Sequence, residues 1–299
     1  MKSEKLRIGY FADGIWAHEA MKKILENSML ELQFVCGRFE TRDPVLKKMS
    51  EINNIDFLLE KNINSKSFLT VVDDYHCDLL ISMSFDQIFK KEIINLCQYK
   101  LINCHAGKLP FYRGRNILNW VLINGDDEFG ITVHYIDEGI DTGDIIVQNI
   151  YPINEEDDYC SLLKIAHKEC ANLLMEAINK IINNDVERTK QIDIHPIGFY
   201  CGIRKNGDEI INWNQTSREL FNFIRGIAKP GPTARSFING KEVRINRAKL
   251  IHNAPCYIGI PGQIVGKTKN NITVKTKDST LSIIEYECET LIKVGDRFI

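Results

Sequence analysis

The chain has 299 residues, of which 44% are hydrophobic and 26% are charged, and its formal net charge at pH 7 is −2. This length exceeds one typical hydrophobic core, so we expect two domains, and the composition excludes extensive disorder. The sequence has no sustained Lys/Arg tract, which argues against an extended nucleic-acid-binding surface.

The first two hundred residues alternate apolar strands with amphipathic helices. Near-continuous apolar strands in this alternation indicate an α/β fold, in which a mostly parallel, Rossmann-like sheet is covered by helices on both faces. In such sheets the ligand crevice lies beyond the carboxyl ends of the strands. The predicted strands lie at residues 6–11, 31–39, 77–85, 101–105 and 131–137, and the predicted helices at 13–28, after Pro44 and near 65–74.

The pattern changes towards the C-terminal end. A long helix is predicted over residues 158–182 and a shorter one over 216–228. Short strands separated by turn signals follow, which indicates a small, mainly β, OB-like barrel. We therefore predict an N-terminal catalytic domain at 1–198 and a C-terminal OB-like domain at 199–299. The C-terminal strands are predicted within residues 234–240, 241–250, 262–268, 271–278 and 279–287.

The 9 cysteines indicate a reduced protein. They contain no Cys-x-x-Cys pair, and most of them lie inside apolar runs, where a thiol acts as a small buried hydrophobe. This distribution favours a reducing compartment and argues against a zinc site. The chain begins directly with a predicted strand and has no long uncharged span, so we expect a cytoplasmic protein that does not associate with membranes.

Residues 101–115 form the most informative stretch of the sequence. The apolar run LINCH delivers Asn103 and His105 to the end of a predicted strand, and a Gly/Pro-containing loop follows. The predicted strand ITVHYID later leads into GIDTGD, which carries Asp141. Each residue alone has a structural explanation, as a turn former or a buried histidine. Their predicted convergence at one sheet edge favours a functional site.

An amide donor, an imidazole and a carboxylate match what acyl transfer to a neutral amine requires. The Asn103 amide N–H can meet the negative charge that develops on the carbonyl oxygen. The incoming nitrogen becomes an ammonium and must lose a proton, which suits His105 because imidazole titrates near neutrality. Asp141 orients the imidazole or relays a proton through water to the departing nitrogen. His134 is predicted to face inward as a supporting residue.

The segments INCHAGKLPFYRGR and GITVHYIDEGIDTGD resemble the core of the 10-formyltetrahydrofolate-dependent formyltransferases. That family combines an Asn-x-His dyad, a Leu-Pro-x-Tyr/Trp-Arg-Gly loop, a Gly-(Val/Ile)-Thr-x-His strand and an Asp-(Thr/Ala)-Gly turn, and all of these stand here in order. The segments GDEIINW, IRGIAKPGP and VGDRF resemble the C-terminal part of the two-domain members. The resemblance implies that Asn103, His105 and Asp141 are catalytic and that 10-formyltetrahydrofolate is the co-substrate.

The resemblance also implies where the two substrates bind. The implied acceptor-binding residues are Lys108, Tyr112, Arg113 and Arg115. The implied folate-binding residues are Ser82, Met83, Phe85, Ile88, Ile136, Asp137, Glu138, Gly139 and Ile140. Arginine suits a phosphate of the acceptor and an apolar slot suits the pterin ring, while a solvated loop and core packing are the alternatives. The glycines of EGIDTG are interpreted as backbone pressed close to a ligand.

Three interpretations of the acceptor remain open. The first is a nucleotide-linked amino-deoxysugar of surface polysaccharide or nonulosonic acid synthesis, the second is methionyl-tRNA, and the third is a non-catalytic binding domain. The loop after the second strand is short and of mixed charge, and the slightly acidic net charge opposes tRNA binding. The sequence therefore predicts the nucleotide sugar as the partner and disfavours tRNA, although KEVRINRAK and KTKNNITVKTK are basic.

No metal is expected, because formyl transfer needs no Lewis acid and the sequence shows no ligand cluster. A homodimer is the default expectation for such an enzyme, although no apolar stripe identifies a contact surface. The predicted protein is therefore a one-carbon transferase with two organic substrates.

Overall fold

The computed structural model describes residues 5–299. Its contacts divide the chain into two compact units, each made of several chain segments. The first unit contains the chain up to Gly114 with 130–151 and 164–200, and the second contains 115–129, 152–163 and 201–299. Two segments that precede residue 198 thus lie in the second unit, and the predicted domain boundary at 198/199 stays a prediction.

Strands and helices alternate along the chain up to residue 105 and follow one another less regularly from there to residue 201. In chain order they are β1 (Leu6–Ala12), α1 (Gly14–Glu26), β2 (Leu30–Gly37), α2 (Pro44–Ile52), β3 (Asp56–Leu59), α3 (Lys66–Asp74), β4 (Leu79–Met83), α4 (Lys91–Ile94), β5 (Leu101–His105), β6 (Arg113–Gly114), α5 (Ile117–Asn124), β7 (Glu128–Tyr135), β8 (Ile145–Pro152), α6 (Tyr159–Ile182), α7 (Gln191–Ile194) and β9 (Tyr200–Cys201).

Seven of these strands form one sheet in the order β3-β2-β1-β4-β5-β7-β8. The strands from β3 to β5 pair in parallel, and β7 runs antiparallel to β5. β1 and β4 are buried along almost their whole length, as expected for parallel strands covered on both faces. The α/β class and the mostly parallel, Rossmann-like sheet are therefore confirmed.

Two features of this sheet differ from the expectation. Because β7 is antiparallel to β5, its carboxyl end lies away from the sheet edge at which β5 ends with His105. An apolar run carries no local signal for strand direction, which is decided by pairing with a neighbour. The sequence also does not predict β3, which has only four residues, or β8, which turns polar after Val147.

The remaining elements belong to the second unit. They are α8 (Ser217–Gly226), β10 (Ala234–Ile238), β11 (Lys241–Leu250), β12 (Ile264–Lys267), β13 (Ile272–Lys275) and β14 (Thr280–Cys288). The strands form an antiparallel sheet in the order β10-β11-β14-β13-β12. Leu220 and Ile224 of α8 join its apolar core, in which Trp213 stacks on Phe298 with ring centroids 5.1 Å apart. A small, mainly β C-terminal fold is thus confirmed.

Local sequence signals set where two helices begin. α2 starts at Pro44 after Asp43, whose carboxylate accepts hydrogen bonds from two N–H groups of the first turn. α8 starts with a capping box, in which Thr216 accepts from the Glu219 N–H and the Glu219 carboxylate accepts from the Thr216 N–H. None of the helices within residues 5–299 is both long and apolar enough to cross a membrane.

Candidate active site

His105 is the last residue of β5 and is only 9% exposed. Its Nε2 lies 2.7 Å from the backbone carbonyl oxygen of Tyr112, and its Nδ1 lies 3.7 Å from Oδ2 of Asp141. A carbonyl oxygen only accepts hydrogen bonds, so Nε2 must carry the hydrogen in the neutral ring. The lone pair of the neutral imidazole is therefore on Nδ1 and faces the Asp141 carboxylate.

Asn103 lies two residues before His105 on the same strand, so the two side chains share one face of the sheet. It pairs across the strands with His134 of β7. His134 Nδ1 lies 2.7 Å from the Tyr135 carbonyl oxygen and so carries the hydrogen of the neutral ring, which leaves Nε2 to accept from Asn103 Nδ2 at 3.3 Å. This contact fixes which end of the Asn103 amide is the donor.

Asp141 reaches the histidines from the loop between β7 and β8. Its Oδ2 accepts a hydrogen bond from the Gly114 N–H at 2.9 Å, and its Oδ1 lies 3.5 Å from His134 Nε2. Burial raises the pKa of Asp141, but the charge of His105, the contact with His134 and the Gly114 N–H outweigh burial and hold that pKa well below its ordinary value. Asp141 is therefore an anion that lies beside both imidazoles.

The structure thus brings together the three predicted catalytic residues. They were predicted to converge because β5 and β7 would end at the same edge of the sheet. Since β7 is antiparallel to β5, it ends at the opposite edge, and the residues converge for a different reason. The loop after β7 folds back with Asp141 at φ +53°, in the left-handed region that non-glycine residues rarely adopt. Their catalytic roles remain a prediction.

The loop that follows β5 is held by a chain of side-chain hydrogen bonds. Thr132 Oγ1 donates to the Gly107 carbonyl oxygen at 2.7 Å. Gln148 Nε2 donates to Thr132 Oγ1 at 2.7 Å and to the Leu109 carbonyl oxygen at 3.0 Å. This chain fixes the path of the loop that brings the Tyr112 carbonyl onto His105. The sequence carries no signal that Gln148 bonds to this loop, because the contact depends on the position of β8 beside β7.

The first group of predicted folate residues lies at the carboxyl end of β4 and just after it. Ser82 and Met83 are buried at the end of this strand. Phe85 and Ile136 are partly buried and pack against the same apolar cluster, in which the Phe85 and Phe11 ring centroids are 5.5 Å apart. Phe85 and Ile136, which are far apart in the chain, therefore pack against one apolar cluster.

The other predicted folate residues are exposed. Ile88 is 57% exposed, and residues 137–140 lie on the surface. Asp137 Oδ1 accepts a hydrogen bond from the Gly139 N–H at 3.0 Å, which shapes the start of this exposed loop. These residues are accessible to a ligand, and their role in folate binding remains a prediction.

The four predicted acceptor residues occupy different environments. Tyr112 is buried, Lys108 is half-buried and Arg115 is exposed. Arg113 is half-buried, and its Nε and Nη2 donate to Oε1 of Gln191 at 3.1 and 2.6 Å. Its guanidinium therefore has a partner within the chain. Acceptor binding by the four residues remains a prediction, as does phosphate binding by Arg113 or Arg115.

The glycines of EGIDTG are pressed against the chain itself. A Cβ on Gly143 would collide with the carbonyl oxygen of Tyr135, and one on Gly139 would collide with the Thr142 side chain. Close approach was expected to involve a ligand, whereas these contacts are internal to the loop that carries Asp141. The glycines therefore allow that loop to close tightly.

Replacing Gly143 by alanine is expected to destabilise the fold by about 2 kcal/mol or more, because the obstructing atom belongs to the backbone and cannot rotate away. Urea denaturation measures the free energy of unfolding. Gly202→Ala is the matched control, since a Cβ there meets no atom within 4 Å and neither glycine has a positive φ. Equal stability of the two variants would contradict this assignment.

The cysteines do not form part of the site. All 9 are free, and burial raises the pKa of the Cys36, Cys77 and Cys97 thiols to about 12. Such thiols are poor nucleophiles at neutral pH. Within residues 5–299, His, Cys, Asp and Glu side chains form no group of three or more that would hold a metal ion.

Comparison with known proteins places the chain in a family. Residues 33–178 match the formyl transferase family, and residues 204–293 match its C-terminal domain family. A methionyl-tRNA formyltransferase from Fusobacterium nucleatum is 35% identical over 243 residues, which cover 80% of this chain and 76% of the relative. The chain belongs to the formyltransferase family. The resemblance predicted from the Asn-x-His and Asp-Thr-Gly motifs is thereby confirmed.

Two further formyltransferases are similar over most of the chain. A methionyl-tRNA formyltransferase from Pelotomaculum thermopropionicum is 32% identical over 253 residues, which cover 85% of this chain and 79% of the relative. The crystal structure of the N-formyltransferase from Helicobacter canadensis, in complex with folinic acid and dTDP-3-aminofucose, is 25% identical, with a TM-score of 0.67. That alignment covers 95% of this formyltransferase and 100% of the other chain.

The predicted acceptor is corrected by these relatives. The sequence-based preference for a nucleotide-linked amino sugar is wrong in their light, because the relatives with 30–35% identity over most of the chain are methionyl-tRNA formyltransferases. The preference depended in part on the net charge of the whole chain, which averages regions of opposite sign.

Proposed function

We propose that the protein is a methionyl-tRNA formyltransferase, which transfers the formyl group of 10-formyltetrahydrofolate to the amino group of methionyl-tRNA. The observation that carries the chemistry is the convergence of Asn103, His105 and Asp141. The observation that favours this acceptor is the identity of 35% with a methionyl-tRNA formyltransferase over 80% of the chain.

His105 is assigned as the proton acceptor. Its Nε2–H is engaged by the Tyr112 carbonyl, so the proton that the attacking amine loses goes to Nδ1. The imidazolium that forms lies 3.7 Å from the Asp141 carboxylate, which stabilises it. His134 is not an equivalent base, because its Nε2 already receives the Asn103 N–H. The geometry therefore favours one of the two imidazoles.

Asn103 is assigned as the donor to the formyl oxygen. Its Nδ2 carries two hydrogens. One is donated in a hydrogen bond to His134 Nε2, and the other is assigned to the substrate. This N–H stabilises the negative charge that develops on the oxygen as the amine bonds to the formyl carbon. The bond from that carbon to N10 of the folate then breaks, and N10 receives a proton from the His105 imidazolium directly or through water.

The folate is assigned to the region around Phe85 and Ile136. Both side chains pack on one apolar cluster, which suits the face of a pterin ring. The exposed loop 137–140 lies directly after Ile136 in the chain and presents backbone groups to solvent. This assignment places the formyl donor near the loop that carries Asp141.

The distribution of charge is compatible with a tRNA acceptor. Residues 1–200 contain 22 Lys and Arg against 31 Asp and Glu, whereas residues 201–299 contain 16 against 9, so the two parts carry −9 and +7. Part of the excess is used within the second unit, where Arg218 contacts Glu155 and Arg247 contacts Glu156. The second unit as a whole, with residues 115–129 and 152–163 included, contains 17 Lys and Arg against 16 Asp and Glu. The basic groups of 201–299 therefore attract the phosphate backbone of an RNA through their local field and not through the net charge of the unit.

The decisive experiment supplies purified protein with 10-formyltetrahydrofolate and methionyl-tRNA. We expect formylmethionyl-tRNA to form, and we expect kcat/KM to fall as salt is raised from 50 to 200 mM, because counterion release weakens with salt. Uncharged tRNA and free methionine serve as controls and are expected to be poor acceptors. Absence of formylation of methionyl-tRNA by folded protein contradicts the proposal.

A further inference from the structure

We propose that Gln191 is a positioning residue for formyl transfer, which holds the Asp141 turn in its working conformation. The inference rests on the proposed function, because it assigns Gln191 a role through Asp141. Gln191 begins α7, lies 50 residues after Asp141 and is only 4% exposed. Nothing in the sequence motifs points to it.

The Gln191 side chain makes four hydrogen bonds. Its Nε2 donates to the carbonyl oxygens of Asp141 and Gly143, both at 2.8 Å. Its Oε1 accepts from Nε and Nη2 of Arg113, at 3.1 and 2.6 Å. Both amide hydrogens and both lone pairs are thus used, and the partners fix the orientation, since carbonyls only accept and a guanidinium only donates.

The backbone around Gln191 follows the same loop. Thr189 exchanges two backbone hydrogen bonds with Ile145, at 2.8 and 3.0 Å, directly after the Asp141 turn. The Arg188 guanidinium lies 4.2 Å from the ring centroid of Tyr135, directly before the loop. Residues 188–191 therefore contact the loop between β7 and β8 at its start, at the Asp141 turn and at its end.

Asp141 needs such support because its backbone is strained. A non-glycine residue at positive φ persists only where the surrounding structure holds it. Two of its carboxylate contacts are longer than 3.4 Å, so a small displacement of the turn changes the field at both imidazoles. The hydrogen bonds from Gln191 act on the backbone that sets this position.

The Oε1 end of the Gln191 side chain contacts the segment that lies beside His105. Arg113 directly follows Tyr112, whose carbonyl oxygen engages His105. Gln191 therefore connects the segment that orients His105 with the segment that carries Asp141. The buried Gln191 amide therefore holds the imidazole of His105 and the carboxylate of Asp141 in fixed positions relative to each other.

The test distinguishes the contacts that Gln191 makes through Oε1 from those that it makes through Nε2. Gln191→Glu keeps an acceptor for Arg113 but replaces the donor that serves the Asp141 and Gly143 carbonyls. We expect kcat to fall at least about tenfold, with the KM of both substrates changed less than about threefold, because misplacement of a catalytic group acts on the chemical step. The exposed Gln98→Glu is the charge-matched control and is expected to leave kcat unchanged.

A double-mutant cycle distinguishes positioning from general destabilisation. If Gln191 acts through Asp141, then Gln191→Glu is expected to cost little more than about twofold when it is added to Asp141→Asn. Equal losses in both backgrounds, or unchanged kcat in the single variant, overturn the inference. A crystal structure of Gln191→Glu gives a readout without turnover, and a turn that superimposes on the wild type also overturns it. Wild-type protein that fails to formylate methionyl-tRNA refutes the proposed function instead.

Discussion

Replacing His105 by asparagine is expected to lower kcat for formyl transfer at least about a hundredfold, the usual contribution of a positioned general base. Asparagine retains a polar side chain but has no group that accepts a proton near neutral pH. The KM for 10-formyltetrahydrofolate is expected to change little, because His105 is not assigned to folate binding. Single-turnover kinetics with methionyl-tRNA measure the chemical step.

The control for this variant is His76→Asn. His76 is exposed and has a φ of +48°, a conformation that asparagine adopts readily, so its replacement is expected to leave both folding and turnover unchanged. A near-normal rate in the His105 variant would remove the assigned role of proton acceptor. A loss of equal size in both variants would indicate damage to the fold.

Asp141→Asn is expected to lower kcat by at least about a hundredfold as well, since the His105 imidazolium would lose its adjacent charge. Asparagine tolerates the left-handed conformation at this position, so the turn is expected to persist. The same single-turnover assay measures the effect. Retention of more than about a tenth of the wild-type rate would contradict the role of the carboxylate.

The same variant is expected to change how stability depends on pH. The pKa of Asp141 in the folded protein lies well below its ordinary value of about 3.9, so the ionised group stabilises the folded state above that value. This contribution is lost as pH falls through the lower, folded-state pKa. The difference in unfolding free energy between wild type and Asp141→Asn is therefore expected to shrink below about pH 4. Urea denaturation between pH 7 and 3 tests it, and a gap that widens in acid would contradict the assigned environment.

The wrong prediction of the acceptor has a physical explanation. A net charge of −2 describes the chain as a whole, but electrostatic attraction to RNA depends on the local field. The last 99 residues carry an excess of basic groups that the acidic first part conceals. Charge counted for each predicted domain separately would have kept tRNA as a strong candidate.

The sequence by itself determined the fold class and half of the site. Apolar strands between amphipathic helices dictate a covered, mostly parallel sheet, because such strands must bury both faces. The spacing of Asn103 and His105 dictates that they share a face at the end of β5, because side chains along a strand alternate with a period of two. These are local rules, and local rules are readable from residues alone.

Only the tertiary structure decided how His134 and Asp141 reach the site. Strand β7 has the same apolar character in either direction, and its antiparallel pairing with β5 places His134 beside Asn103. Asp141 approaches His105 because its loop folds back, which close packing at Gly143 and the hydrogen bonds from Gln191 stabilise. These contacts join segments up to 50 residues apart, and no periodicity or motif encodes the pairing of buried groups that are distant along the chain.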